Sequence, residues 1–360
     1  MALTTKVVGQ SEDGAEELDA DLSQLGSEGQ PTVTLASDLT QVRGRLIMDY
    51  ADSGDGKSTR LHSLARHYYM KTGLKVRVVT AEDSTKKVFE DLVGAGIAEV
   101  LYLDTKTPIS TYERIVEGEW LTGEFEVVKV TKKVGAKEVT TERRVPKWQP
   151  KSEWEGTISA YLFEGLSTFS ENILDHLREE GRFPREQSDG FTEGGRTHMA
   201  ASQTAYGFVQ GEGIKLLKTS GMLPVERVAW TSHESKGKEE FGAASTRGPK
   251  MVGSAGTDSI RKYVGVLLHT DRVGGEIRTY FENHPDATND KIQWKAKVTV
   301  QPVLSQEYKK RFPKGYFVPT LPQGGSYLGA KDGLIPFLEA EDEIAKLSTD
   351  AASELVASKR

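Results

Sequence analysis

The stretch over residues 45–59 constrains this chain more than any other part of its sequence. It reads RLIMDYADSGDGKST, an apolar run followed by the pattern Ala51-x-x-x-x-Gly56-Lys57-Ser58. This spacing is typical of a phosphate-binding loop between a strand and a helix, with Ala where Gly is commoner in the first place. The loop glycines allow the backbone to turn its N–H groups inward as a nest for anionic oxygens. The predicted phosphate-binding residues are Ser53, Gly54, Asp55, Gly56, Lys57, Ser58 and Thr59.

The side chains in this loop fit the chemistry of ATP and Mg²⁺. Lys57 would bring a positive charge to the β- and γ-phosphates, and Ser58 would offer a hydroxyl to the metal. Residues 59–70 follow with the periodicity of an amphipathic helix, whose positive end would point at the phosphates. We therefore expect ATP and Mg²⁺ as ligands.

Composition places the chain among cytoplasmic globular proteins. Its 360 residues, 37% of them hydrophobic, are enough for one large domain or two small ones with a substantial core. Cysteine is absent, which excludes disulfides and Cys-ligated zinc and fits a reducing compartment. The chain start lacks an apolar signal core, and no stretch has the length of a membrane span. We expect no membrane partner.

The net charge of −6 is concentrated at the N-terminus. Residues 1–30 hold seven acidic side chains against Lys6 and are rich in Ser and Gly, which predicts a disordered acidic tail. Such a tail could simply aid solubility. It could also mimic DNA and compete for a basic groove, or recruit a partner.

Apolar strand patterns alternate with helical patterns through the middle of the chain. This alternation predicts an α/β fold with a mainly parallel sheet and crossover helices. The predicted strands are 32–35, 45–51, 75–81, 100–103, 157–163 and 227–232, and the predicted helices beyond the first are 86–93, 166–180, 201–219 and 341–358. Residues 276–283 and 291–300 are predicted to extend the sheet as an antiparallel pair.

Residues 124–147 interrupt the alternation with a predicted β-hairpin insertion that turns near Gly135. The hairpin is locally basic, which suits either the protection of a solvated sheet edge or a contact with nucleic acid. Its basic residues are Lys129, Lys132, Lys133, Lys137, Arg143, Arg144 and Lys147.

Residues 40–275 resemble the RecA-like ATPases, and more narrowly the phage-encoded members linked to recombination and single-strand annealing. In that family the strand after the P-loop helix ends in a glutamate that polarises water, and Val78-Val79-Thr80-Ala81-Glu82 matches it. A later apolar strand ends in an aspartate followed by Ser and Thr. Here Glu164 takes the aspartate's place, before Gly165-Leu166-Ser167-Thr168. The resemblance implies catalytic roles for Lys57, Glu82 and Glu164, with Ser58 and Glu164 at the metal. Asp104 is the rival metal acid.

The resemblance also implies a sensor and a loop that contacts DNA or a neighbouring subunit. The strand at 227–232 continues into His233, and family members carry a polar residue there that senses the γ-phosphate, so Thr231 and His233 are the candidates. The Gly-rich loop over 235–253 follows. Its candidates for phosphate contacts, or for a finger reaching a neighbour's nucleotide, are Lys236, Lys238, Arg247 and Lys250.

These features predict a RecA-like ATPase domain over residues 31–305, followed by a C-terminal extension over 306–360 with a terminal helix. The expected protein hydrolyses ATP, acts on single-stranded DNA in recombination or replication, and forms a homo-oligomeric ring or filament in the host cytoplasm. Two alternatives stay open. One is a ring helicase or DNA-packaging motor, and the other is a non-enzymatic assembly protein gated by nucleotide.

Overall fold

The computed structural model describes residues 46–82, 85–134, 137–179, 191–193, 196–198, 203–236, 245–252, 259–260, 262–281, 292–294, 310–319, 333–340 and 342–343. Within these ranges the strands are β1 (Leu46–Ala51), β2 (Lys75–Thr80), β3 (Ala98–Tyr102), β4 (Trp120–Val134), β5 (Lys137–Gln149), β6 (Ile158–Glu164), β7 (Phe191–Glu193), β8 (Arg196–His198), β9 (Arg227–Lys236), β10 (Ser245–Pro249), β11 (Val266–Val273), β12 (Glu276–Phe281), β13 (Ile292–Trp294) and β14 (Tyr316–Phe317). The helices are α1 (Lys57–Thr72), α2 (Thr85–Gly94), α3 (Ile109–Val116), α4 (Lys151–Trp154), α5 (Leu166–Glu179) and α6 (Gln203–Ser220).

A ten-stranded sheet organises the described chain, with the order β14-β12-β11-β1-β9-β6-β2-β3 and with β10 and β13 attached beside β9. All neighbours from β11 to β3 are parallel. Strand β1 therefore lies between β9 and β11, and β6 lies one strand further along. This confirms the predicted α/β class with a mainly parallel sheet.

Alternating side chains of the central strands divide the core into two clusters, one on each face of the sheet. On β6, Tyr161 and Phe163 belong to one cluster, which includes side chains of α3, α5 and α6. Ala160 and Leu162 belong to the other, with side chains of α1 and α2. These strands are buried on both faces, which explains why they read as continuous apolar runs.

The predicted hairpin insertion forms a separate two-stranded sheet, β4–β5, which is longer than predicted. Its base is anchored by the buried guanidinium of Arg77, which lies 4.5 Å from the ring centre of Trp120 and 5.0 Å from that of Trp154. Arg77 also donates to the side chain of Gln149 at 2.5 Å and to the Tyr161 hydroxyl at 2.7 Å. The predicted turn at Gly135 lies outside the described residues.

The predicted antiparallel pair over 276–283 and 291–300 is wrong in its partners. Strand β12 pairs with β11 and β14, whereas β13 pairs in parallel with β10. The β11–β12 connection is the two-residue turn Gly274-Gly275, with φ of 59° and 87°. Positive φ at both positions suits a tight hairpin and is cheap only for residues such as glycine. Sequence reasoning passed over both β11 and this turn.

Residues of the C-terminal part of the chain contact helix α1 at Ser63 and Lys71. The N–H of Leu334 donates to Ser63 Oγ at 2.9 Å, and Asp342 accepts from Lys71 at 2.9 Å. The helical segment over 335–340 contributes Phe337 and Leu338 to the core. The predicted tail over 1–30, strand over 32–35 and most of the terminal helix over 341–358 lie outside the described residues, and the domain division stays a prediction.

Among the described residues, no helix is long and apolar enough to cross a membrane.

Candidate functional site

The loop between β1 and α1 has the backbone that the phosphate-binding pattern predicts. Gly54 and Gly56 adopt φ of 84° and 76°, and Gly56 occupies the N-cap of α1 in a left-handed conformation. Glycine has no side chain that could cap the helix, so the first N–H groups of α1 are left for another acceptor. A helix start of this kind suits an anion.

Lys57 is the first residue of α1 and is only 7% exposed. Its Nζ donates to the carbonyl oxygens of Asp52 at 2.8 Å and Ala51 at 3.2 Å. Burial lowers the pKa of the Lys57 ammonium, and nearby Asp49 opposes that shift. An ammonium has three protons, so the two carbonyls leave donor capacity for a further anionic oxygen.

Asp49 and Arg60 form a buried ion pair beneath the loop, which sequence reasoning missed. The guanidinium donates to both carboxylate oxygens, at 2.6 and 2.9 Å, and its third contact is to the carbonyl of Asp55 at 2.5 Å. One signal was available. Asp49 is a charged residue inside the buried strand LIMDYA, and a buried carboxylate needs a partner.

Glu164 ends β6 and is 1% exposed. Thr80 Oγ1 donates to its Oε2 at 3.4 Å, while Oε1 is buried with no hydrogen-bond partner in the part of the chain described. Burial raises the pKa of Glu164, and the facing hydroxyls of Ser58 and Thr85 oppose the rise. A carboxylate beside the Ser58 hydroxyl, with one oxygen uncommitted, fits the oxygen ligands that Mg²⁺ takes.

Glu82 follows β2, the strand next to β6, so its carboxylate lies at the same sheet edge as that of Glu164. Its Oε1 accepts from Thr168 at 3.3 Å and lies 3.6 Å from His233 Nε2. Gly165 permits this approach, because a Cβ there would stand 2.8 Å from that same oxygen. Gly165 also has φ of 90°, a conformation that residues with a side chain rarely adopt, so its backbone is a second reason for glycine at this position.

The two predicted sensor residues occupy different positions. Thr231 is buried, and its hydroxyl accepts from the N–H of Gly165 at 2.9 Å. His233 is half-exposed beside Glu82. Burial, followed by the charge of Lys57, lowers the pKa of His233, so its ring is neutral at pH 7. His233 is therefore the one of the two that faces Glu82.

A group of hydroxyls, to which the sequence analysis gave no role, joins this sheet edge to Lys250 of the Gly-rich loop. Ser167 Oγ and Ser232 Oγ both donate to the carbonyl of Lys250, at 2.9 and 2.7 Å. The N–H of His233 donates to Ser167, and the N–H of Lys250 donates to the carbonyl of His233. In the sequence, Ser167 stands out only as part of the family pattern that follows Glu164.

Asp104, the rival metal acid, lies after β3 at the far edge of the sheet. Its carboxylate accepts from the N–H of Lys106 and the hydroxyl of Thr107, both at 3.0 Å, and the residue is exposed. This is a local Asx-type turn. Asp104 follows β3, the last strand of the sheet, and β2 and β6 lie between β3 and β9. Glu164, by contrast, faces the Ser58 hydroxyl directly.

The basic candidates of the Gly-rich loop are placed unequally. Arg247 donates to Glu234 at 2.7 Å, and Glu234 also contacts His269 at 2.9 Å. Arg247 is mostly buried in this pair, and its DNA or finger role stays a prediction. Lys250 is half-exposed and contacts Glu171. Lys238 lies outside the described residues, and only the backbone of Lys236 is described.

Comparison with known proteins gives little. No family model matches the sequence, and no curated protein matches it. Among solved structures, a KaiC-like protein from the hyperthermophilic archaeon Pyrococcus horikoshii OT3 overlaps 66% of this chain and 77% of its own, with a TM-score of 0.34 and 10% identity. The interpretation of the site therefore depends on its own geometry.

Proposed function

We propose that this chain binds ATP with Mg²⁺ and hydrolyses it. The observation that carries the proposal is the uncommitted, buried Oε1 of Glu164 beside the Ser58 hydroxyl, at the start of a helix that follows a glycine loop. A phosphate nest and a metal-suited carboxylate at one sheet edge are what a P-loop NTPase requires.

Each residue of the edge then has a task. Lys57 binds the β- and γ-phosphate oxygens with the donor capacity that its two carbonyl contacts leave. Ser58 and Glu164 hold Mg²⁺, which when bound neutralises the charge that develops on the phosphates. Glu82 accepts hydrogen bonds from the attacking water and orients it. Neutral His233 touches Glu82 and is placed to respond to the γ-phosphate.

The proposal extends to single-stranded DNA, homo-oligomers and a phage recombination role, on the resemblance stated above. Two basic segments support a DNA contact. One is the hairpin, where Arg144 lies over the exposed ring of Phe125, with 4.8 Å between guanidinium and ring centre. The other follows β9 and includes the half-exposed Lys250. Aromatic rings with cations suit stacked bases and phosphates.

An ATPase assay with and without single-stranded DNA tests this function. Hydrolysis that DNA stimulates supports the proposal. Hydrolysis that requires duplex DNA and movement along it supports the ring helicase or packaging motor, and ATP binding without turnover supports the assembly protein.

The DNA contact has its own test by fluorescence anisotropy with a labelled single strand. Binding should weaken with salt because each phosphate contact releases counterions. Neutralising Lys236, Lys238 and Lys250 together should lower affinity and flatten the salt slope, and deleting residues 1–30 should raise affinity if the tail competes. A matched control neutralises three exposed lysines elsewhere, Lys75, Lys106 and Lys314. Absence of binding at low salt, with or without ATP, would refute the recombination role.

A further inference from the structure

Asp55 is an unexpected residue for a loop that accepts phosphates. It stands directly before Gly56 and Lys57, and its side chain is only 13% exposed. A carboxylate held at this place repels an incoming triphosphate, and the repulsion is weakly screened where water is excluded. Binding ATP here therefore requires that the charge of Asp55 be compensated.

Two arginines from different elements act on Asp55. Arg60 of α1 holds its backbone carbonyl from below, at 2.5 Å. Arg272 of β11 approaches its side chain from the other side, with 3.5 Å between Nη2 and Oδ1. Since Ala51 pairs with Thr270, Arg272 lies two residues beyond the last paired position of β1, alongside the loop. The backbone and the charge of Asp55 thus have separate partners.

The exposure of the pair is unequal. Arg272 is 54% exposed and Asp55 is 13% exposed, so the guanidinium reaches in from solvent to a nearly buried carboxylate. An exposed arginine can remain in place or swing away at small cost, whereas the backbone of Asp55 is held by Arg60. The arginine is the adjustable member of the pair.

We propose that Arg272 is a positioning residue of the nucleotide site, which neutralises Asp55 so that the loop accepts the phosphates of a nucleoside triphosphate. This inference rests on the proposed ATP-binding function. It differs from a direct phosphate contact, because Arg272 acts through Asp55 and has no separate task once that carboxylate is gone.

A double-mutant cycle with Arg272→Gln and Asp55→Asn tests the inference, read as ATP·Mg²⁺ affinity by calorimetry on the full chain. Arg272→Gln should weaken affinity about fivefold, the upper range for a partly exposed ion pair, and Arg272→Lys should restore most of it. In the Asp55→Asn background, Arg272→Gln should change affinity by less than about twofold. Asp55→Asn alone should bind at least as tightly as the unaltered protein.

Arg278→Gln is the matched control, because it removes one positive charge from the adjacent strand β12, where Arg278 pairs with Glu276 instead of the loop. Its affinity should stay unchanged. An equal loss from Arg272→Gln in both backgrounds, or no loss in either, overturns the inference while ATP binding by the unaltered protein upholds the proposed function. If the unaltered protein binds no ATP, both fall together.

Discussion

Replacing Arg60 by methionine should destabilise the fold more than any surface change. Arg60 is fully buried and donates to both oxygens of Asp49 and to the carbonyl of Asp55. Methionine fills much of the same volume without a charge. The variant therefore keeps the packing, and it leaves the Asp49 carboxylate, 3% exposed, without its cation.

The size of the effect follows from two independent routes. Removing one partner of a buried ion pair costs about 3–5 kcal/mol. The abandoned carboxyl can escape that cost by taking a proton, which at pH 7 costs ~4 kcal/mol for a group of ordinary aspartate acidity. The routes agree on ~4 kcal/mol at pH 7, and the second predicts only ~1.5 kcal/mol at pH 5. The sign is fixed because the folded variant then binds one more proton than its unfolded chain, so its deficit grows as pH rises.

Urea denaturation at pH 5 and pH 7 measures both quantities. Asp49→Asn combined with Arg60→Met should recover part of the loss, because no buried charge then lacks a partner. The control Lys129→Met removes a cation from an exposed pair with Glu142 and should change stability by less than ~1 kcal/mol. A deficit for Arg60→Met below that same limit at pH 7, or one independent of pH, would refute the reasoning.

Three further outcomes are expected. Lys57→Ala should abolish measurable ATP·Mg²⁺ binding in calorimetry, because a buried charge at the phosphates is worth several kcal/mol; unchanged affinity would contradict the P-loop interpretation. Glu82→Gln should keep ATP binding and lose turnover, whereas Glu164→Gln should raise the Mg²⁺ concentration needed for turnover; the reverse pattern, with loss of activity in Asp104→Asn, would move the metal site to β3. Burial raises the pKa of Asp342, but the nearby His67, 3.5 Å away, and the hydrogen bond from Lys71 outweigh it and lower the pKa to about 2, so its contribution to stability is complete above about pH 4 and is lost as pH falls toward 2. Asp342→Asn should flatten the stability–pH curve in that window, and an unchanged curve would exclude the effect.

Strand-end chemistry was predictable from sequence because the carboxyl ends of parallel strands meet at one sheet edge. Glu82 and Glu164 follow predicted strands, and the resemblance to the RecA-like ATPases supplied their expected roles. The strand order itself was not predictable, since it depends on which apolar faces meet in space. Asp104 shows the consequence. It ends a strand as Glu82 does, yet its strand lies at the far edge.

Partners of charged residues were the least predictable feature. Arg247 was predicted to contact phosphates or a neighbouring subunit from a Gly-rich loop, but it pairs with Glu234, to which the sequence analysis gave no role. Arg272 and Asp55 are 217 positions apart, and no local pattern joins them. By contrast, the Gly274-Gly275 turn was a readable signal that was not used.

The carbonyl of Lys250 accepts from two serine hydroxyls, Ser167 on helix α5, which follows Glu164, and Ser232 on β9, the strand that carries His233. If DNA displaces Lys250, those hydroxyls must find new acceptors. The free energy of the sheet edge that is proposed to bind the nucleotide then changes. Thermodynamic reciprocity then requires that ATP alter DNA affinity by the same factor as DNA alters ATP affinity. Ser167→Ala removes one of the two hydroxyls, so the coupling factor should shrink equally whichever ligand is titrated. Unequal factors from the two titrations would mean that at least one titration had not reached equilibrium. An unchanged factor in the variant would mean that the coupling does not depend on Ser167.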